Sequence, residues 1–190
     1  TFSGFAPNVN EFYRKYEMKS FLQQEHAEPL VKQHIRCVDH IDADLSAENT
    51  IILADCDNEH YTRKALYGFA LYCQGECYYI TLDDARRDER LLRYLAQDEH
   101  KITYNAKEFY HAAGIACSDF AFDLMLGSFL LDSSITSFER FLDHYQIPMP
   151  LSIDDVYGKK GKAILPEFDR QCAYMEALLA GMAPIVPQMK

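Results

Sequence analysis

The run Ile51-Ile52-Leu53-Ala54 constrains this chain more than any other stretch, because four successive apolar residues lead directly into Asp55-Cys56-Asp57-Asn58. A strand covered on one face alternates apolar and polar residues. A continuous apolar run ending in turn-forming acids and Asn predicts a strand covered on both faces that leaves the core near Asp55. Such a strand is central, so further structure must pack on either side of it.

The segments around it supply that structure. Leu66 to Cys73 and Cys77 to Leu82 are aromatic-rich runs joined by Gln74-Gly75-Glu76, which predicts a β-hairpin. Leu91, Leu92 and Leu95 have helical spacing in the polar segment that Asp84 opens, and Lys101 to Tyr104 reads as a short strand. Asn105 is placed to cap a helix carrying Phe109, Ala112 and Ala113, which Gly114 closes, and Ile115-Ala116-Cys117 leads toward another strand. Phe122-Asp123 opens a helix with Asp123 as its cap. Leu124, Met125, Leu126, Phe129, Leu130 and Leu131 surround that helix, which predicts burial. Ser137 to Tyr145 and Glu167 to Gly181 carry apolar residues on one helical face, and residues 151–166 read as loop.

Residues 1–49 differ in character. Val9, Phe12, Tyr13 and Tyr16 predict a short amphipathic helix, Ser20 caps another, Pro29 breaks the chain, and residues 32–41 carry a weak strand signal. We read 1–49 as a linker and 50–190 as one domain. The element order gives an α/β fold: a mixed, five-stranded, ribonuclease-H-like sheet with helices on both faces.

Composition narrows the function. Lys and Arg total 19 against 29 Asp and Glu, a net charge of -10 that as an average repels a phosphate backbone, so a dedicated nucleic-acid-binding module is disfavoured. No apolar run is long enough to span a bilayer, and the opening residues lack a basic stretch followed by an apolar run. The six cysteines are scattered, as cytosolic thiols are; Cys73 and Cys77 fall in the hairpin without a zinc-knuckle gap. The seven histidines show no ligand spacing, and Gly158-Lys159-Lys160-Gly161-Lys162 lacks P-loop spacing, so it reads as a solvated basic loop.

Three stretches, Ile102-Thr103-Tyr104-Asn105-Ala106-Lys107, Phe122 to Asp132, and Val156-Tyr157-Gly158-Lys159, together resemble the 3′-5′ exonuclease domain of bacterial DNA polymerase I, from about Thr50 onward. Upstream, Tyr13 to Leu22 is similar to the segment that ends the 5′-nuclease region of those polymerases. The resemblance implies a piece from the middle of a longer, cytoplasmic bacterial polymerase. Its partners would be the adjoining polymerase and 5′-nuclease domains and, through the parent chain, DNA, which the basic loop could touch at the backbone. No membrane is involved.

Active members of that family use four carboxylates and a tyrosine, because two Mg²⁺ or Mn²⁺ ions need hard oxygen ligands. The resemblance puts the first motif, Asp-x-Glu, on Leu53-Ala54-Asp55, so that its first acid is a leucine; the alternative register, Asp55-Cys56-Asp57, keeps both acids and shortens the following loop. The second acid, four residues after Asn105, falls on Phe109, and the Tyr-x-x-x-Asp motif falls on Phe168 and Cys172. Leu53, Asp55, Phe109, Phe168 and Cys172 are thus the vestigial-site positions. Buried apolar replacements each contribute about 1.5–3 kcal/mol, enough to turn a lost site into core.

The expectation is a domain without catalytic residues, cofactor or metal, serving a structural role beside the polymerase domain in DNA replication and repair. If any metal bound, Asp55 and Asp57 would hold it. The alternative is an active proofreading exonuclease, dependent on Mg²⁺, with a shifted ligand set of Asp55, Asp57 and either Glu108 or Asp169.

Overall fold

The computed structural model describes residues 35–60, 62–98 and 100–189. The chain divides into two compact units, Thr1–Lys32 and Gln33–Lys190, and the described residues belong to the second. The helices read at 8–16 and after Ser20, and the nuclease-like segment Tyr13 to Leu22, lie outside the described residues.

A six-stranded mixed sheet organises the second unit, in the order β1-β4-β3-β2-β5-β6. Its strands are β1 (Arg36–Val38), β2 (Ile51–Cys56), β3 (Leu66–Cys73), β4 (Glu76–Thr81), β5 (Ile102–Thr103) and β6 (Phe122–Asp123). β2, β3 and β4 are antiparallel neighbours, whereas β1 runs parallel to β4 and β5 parallel to β2. The sheet exceeds the expected five strands by β1, whose three residues fall in the segment read as linker. Only Val38 of the three is even half-buried, so the weak strand signal at 32–41 falls short of placing it in the sheet.

The hairpin follows from its turn. Gln74 and Gly75 both have positive φ, 51° and 87°, the two-residue geometry that matches the right-handed twist of the flanking strands. Cys73 then pairs with Glu76 across it.

Helices cover both faces. On one lie α1 (Leu82–Ala85), α2 (Glu89–Gln97) and α3 (Ala106–Ala113); Ile52, Phe69, Leu71 and Ile80 of the sheet meet Leu91, Leu95, Phe109 and Ala113 there. On the other lie α4 (Leu124–Leu131), α5 (Phe138–His144), α6 (Ile153–Tyr157), α7 (Phe168–Met182) and α8 (Val186–Met189), packed on Ile51, Leu53, Ala70, Cys77 and Tyr79. Successive residues of β2 therefore enter opposite cores, which is why its run is uninterrupted. α6 and the small hairpin β7 (Gly158–Lys159) and β8 (Lys162–Ala163) occupy the stretch read as loop; five residues opened by a capping box at Ser152 are too few for a periodic pattern.

The expectation of burial for α4 is overturned. Leu126, Phe129, Leu130 and Leu131 are exposed, Leu130 at 84 %. The helix packs through its small residues instead: Leu124, Gly127 and Ser128 are buried, and a Cβ at Gly127 would lie 3.0 Å from Phe122 Cε1. Close approach selects the glycine face and leaves the large side chains outward. Among the described residues no helix is long and apolar enough to cross a membrane.

Candidate functional site

A cleft of about 700 Å³ opens where β2 ends, between α3, α5, α6 and α7. Asp55 lies at its base and is fully buried. Three side chains donate to its carboxylate: Tyr79 Oη to Oδ2 at 2.6 Å, Gln171 Nε2 to Oδ2 at 3.0 Å, and Tyr157 Oη to Oδ1. Each comes from a different element, β4, α7 and α6.

Gly68 makes this convergence possible. It pairs with Asp55 across β2 and β3, and a Cβ there would sit 2.9 Å from Tyr79 Oη and closer still to the Ile80 carbonyl. With no side chain at 68, the Tyr79 phenol crosses β3 to reach Asp55. Tyr157 is held in turn by stacking on Tyr67 at 6.0 Å and by the edge of Tyr174 at 5.8 Å.

Burial pushes the Asp55 carboxyl above its ordinary range, opposed by the hydrogen bonds from Tyr157, Tyr79 and Gln171. The Tyr79 and Tyr157 phenols are driven far above theirs, by burial first and then by the neighbouring carboxylate. Both hydroxyls therefore stay protonated and keep donating.

The other residues singled out from the sequence are distributed as follows. Leu53 is buried and lines the cleft. Phe109, also buried, lines it while packing on Phe69 and Phe120, with ring centres 5.8 and 5.0 Å away. Phe168 is 45 % exposed and stands edge-on to Tyr79 at 5.6 Å. Cys172 makes no hydrogen bond to Asp55; its Sγ lies 3.4 Å from that of Cys37. The α7 side chain that meets Asp55 is Gln171, one residue earlier, and a single step turns a helical side chain by about 100°. Gln171 begins the stripe of buried positions 171, 174, 175, 178 and 182 along α7, and a polar residue on that stripe was the available signal.

The acids of the shifted ligand set are engaged elsewhere. Asp57 is buried, accepting from Glu59 N at 3.1 Å and Ala65 N at 3.2 Å, so its carboxylate closes the β2–β3 loop. Glu108 pairs with Lys64 Nζ at 3.1 Å and accepts from Asn105 Nδ2 at 3.1 Å. Asp169 is exposed in the first turn of α7. Asp123 caps α4 through Met125 N and also accepts from Asn105 N and Ala106 N, so one carboxylate joins the starts of two helices. Among the described residues no group of three or more His, Cys, Asp or Glu side chains is arranged to hold a metal ion. The donor set around Asp55 does not suit a pair of hard cations: its neighbours are two phenols and an amide whose hydrogens point at the carboxylate a cation would need.

Residues 52–180 match the family model described as DNA polymerase I, ribonuclease H-like domain. The chain belongs to this family. Solved structures agree on the fold at 14 % identity. A nuclease in its apo form gives a TM-score of 0.57 and covers 82 % of this chain and 79 % of its own. NrnC from Brucella melitensis with bound Mg²⁺ gives 0.51, covering 81 % and 80 %. The catalytic core of RRP6 from Trypanosoma brucei gives 0.52, covering 98 % and 58 %. A comparison with curated protein sequences found no match.

Proposed function

We propose that this is a non-catalytic 3′-5′ exonuclease-like domain of a bacterial DNA polymerase I, retained as a structural support for the adjoining polymerase domain. The observation that carries the proposal is the occupancy of Asp55: both of its oxygens accept hydrogen bonds from Tyr79, Tyr157 and Gln171. Two-metal hydrolysis of a phosphodiester needs several carboxylates free to bridge cations. Here the family's acidic positions carry Leu53 and Phe109, and a hydrogen-bonded cluster stands where the ions would sit. NrnC binds Mg²⁺; this domain lacks the ligands to do so.

A structural role needs a surface for the neighbouring domain. The outward face of α4, with Leu126, Phe129 and Leu130, is a contiguous apolar patch of the kind that soluble proteins seldom leave uncovered. It supplies a docking face in the parent polymerase, which would act on DNA in the cytoplasm. The exposed lysines of the β7–β8 hairpin are suited to a weak backbone contact with that DNA.

The alternative, an active exonuclease with shifted ligands, would have to free Asp57 from its loop and Glu108 from Lys64. Incubation of the domain with end-labelled single-stranded DNA and Mg²⁺ or Mn²⁺ separates the two. Non-catalysis predicts no shortening of the 3′ end; shortening that Asp55→Ala abolishes would establish the active enzyme.

A further inference from the structure

Cys37 and Cys172 lie 135 positions apart in sequence, yet their sulfurs are 3.4 Å apart. Cys37 pairs with Tyr79 in the β1–β4 register and so faces α7, where Cys172 meets it. We propose that these two thiols form a reversible disulfide that fastens the edge strand of the sheet to the helix carrying Gln171.

The geometry is nearly that of the bond. A disulfide needs its sulfurs about 2.05 Å apart, so an approach of about 1.4 Å is required, within reach of side-chain rotation. Cys37 is exposed and Cys172 is buried, so oxidant meets Cys37 first. The Cys37 thiolate attacks an oxygen of hydrogen peroxide or an organic hydroperoxide; the O–O bond breaks, and the hydroxide or alkoxide expelled takes up the proton lost by the thiol, leaving as water or an alcohol. The resulting sulfenic acid is attacked by the Cys172 sulfur, its hydroxyl departs as water with the Cys172 proton, and the S–S bond forms. Two thiols lose two electrons in all, and the peroxide gains them. A dithiol reductant reverses the exchange.

Contact singles out the pair: Cys73 is buried with its Sγ donating to the Asp44 carbonyl at 3.1 Å, and Cys117 Sγ lies 3.4 Å from the Ser118 carbonyl. Burial pushes the Cys172 thiol up, as it does those of Cys56 and Cys77, so Cys172 is the resolving thiol and the exposed Cys37 the one that meets oxidant. The consequence falls on the site: Cys172 adjoins Gln171, so the bond would lock α7 where Gln171 reaches Asp55. Its loop spans most of the chain, which maximises the constraint on the unfolded state.

The test is peptide mapping of the whole chain after equimolar hydrogen peroxide and alkylation without reductant. The expected result is one intramolecular cross-link between the Cys37 and Cys172 peptides, a mass lower by about 2 Da. Dithiothreitol reverses it, Cys37→Ser and Cys172→Ser each abolish it, and it raises the unfolding midpoint by about 5 °C or more. Recovery of both cysteines alkylated, a sulfinic acid at Cys37 with Cys172 free, an intermolecular dimer, or an unchanged midpoint in the cross-linked form would overturn the proposal. The wild-type map decides the cross-link even if a serine variant fails to fold.

Discussion

Gln171 Nε2 donates to Asp55 Oδ2 across 3.0 Å, joining the first turn of α7 to the end of the central strand inside the core. A carboxylate this deeply buried is costly unless its oxygens are satisfied. Gln171, Tyr79 and Tyr157 satisfy them, and the same three contacts occupy the atoms that a metal would require.

Removing Asp55 should therefore cost stability. Asp55→Ala leaves two phenols and an amide without their acceptor, and each buried orphan donor costs roughly 1–3 kcal/mol. The variant should lose about 3 kcal/mol or more by urea unfolding, while Asp55→Asn, which keeps the shape and one carbonyl acceptor, should lose less than half of that.

The pH dependence follows from the direction of the Asp55 shift. Its carboxyl titrates higher folded than unfolded, because burial disfavours the charge. The stability this contributes is fully present below the unfolded value of about 3.9 and is lost as pH rises through the folded one. Asp55→Asn carries no such proton. Unfolding free energies of the two proteins, measured from pH 4 to pH 8, should show the advantage of wild type over Asp55→Asn shrinking as pH rises; a constant difference would contradict the shift.

Gly68→Ala should be as damaging as a core truncation. Its Cβ would meet the Ile80 carbonyl and lie 2.9 Å from Tyr79 Oη, and backbone cannot yield cheaply. We expect a loss of about 1–3 kcal/mol in chemical unfolding, with the hydrogen bond from Tyr79 to Asp55 displaced.

The exposed face of α4 should be silent for stability of the isolated domain. Leu130→Glu, at a residue 84 % exposed, should change its unfolding free energy by no more than about 0.5 kcal/mol. In the full polymerase chain the same substitution should speed proteolysis between this domain and the polymerase domain. Unaltered digestion would argue against α4 as the docking face.

Much of this was legible in the sequence for identifiable reasons. The run at 51–54 and the aromatic hairpin were clear because each combines burial with a turn signal, and the α5 and α7 helices because their apolar stripes are long. β1 showed only as a weak strand signal inside the segment read as linker, because three residues on a sheet edge need little pattern. The burial of α4 was misjudged because a uniformly apolar helix gives no phase, and the face chosen was that of Gly127 and Ser128. Gln171 was missed for the opposite reason: its helix was recognised, but helical phase is lost by an error of one residue. Tyr157 was visible only as part of a family-like stretch, since its pairing with Asp55 spans 102 positions and depends on a five-residue helix.

The most direct measurement is anomalous diffraction from crystals soaked in Mn²⁺. The account predicts no ordered ion at the end of β2, with Asp55 still accepting from Tyr79, Tyr157 and Gln171. Two manganese peaks bridged by Asp55, with the Tyr157 and Gln171 side chains swung aside, would contradict it.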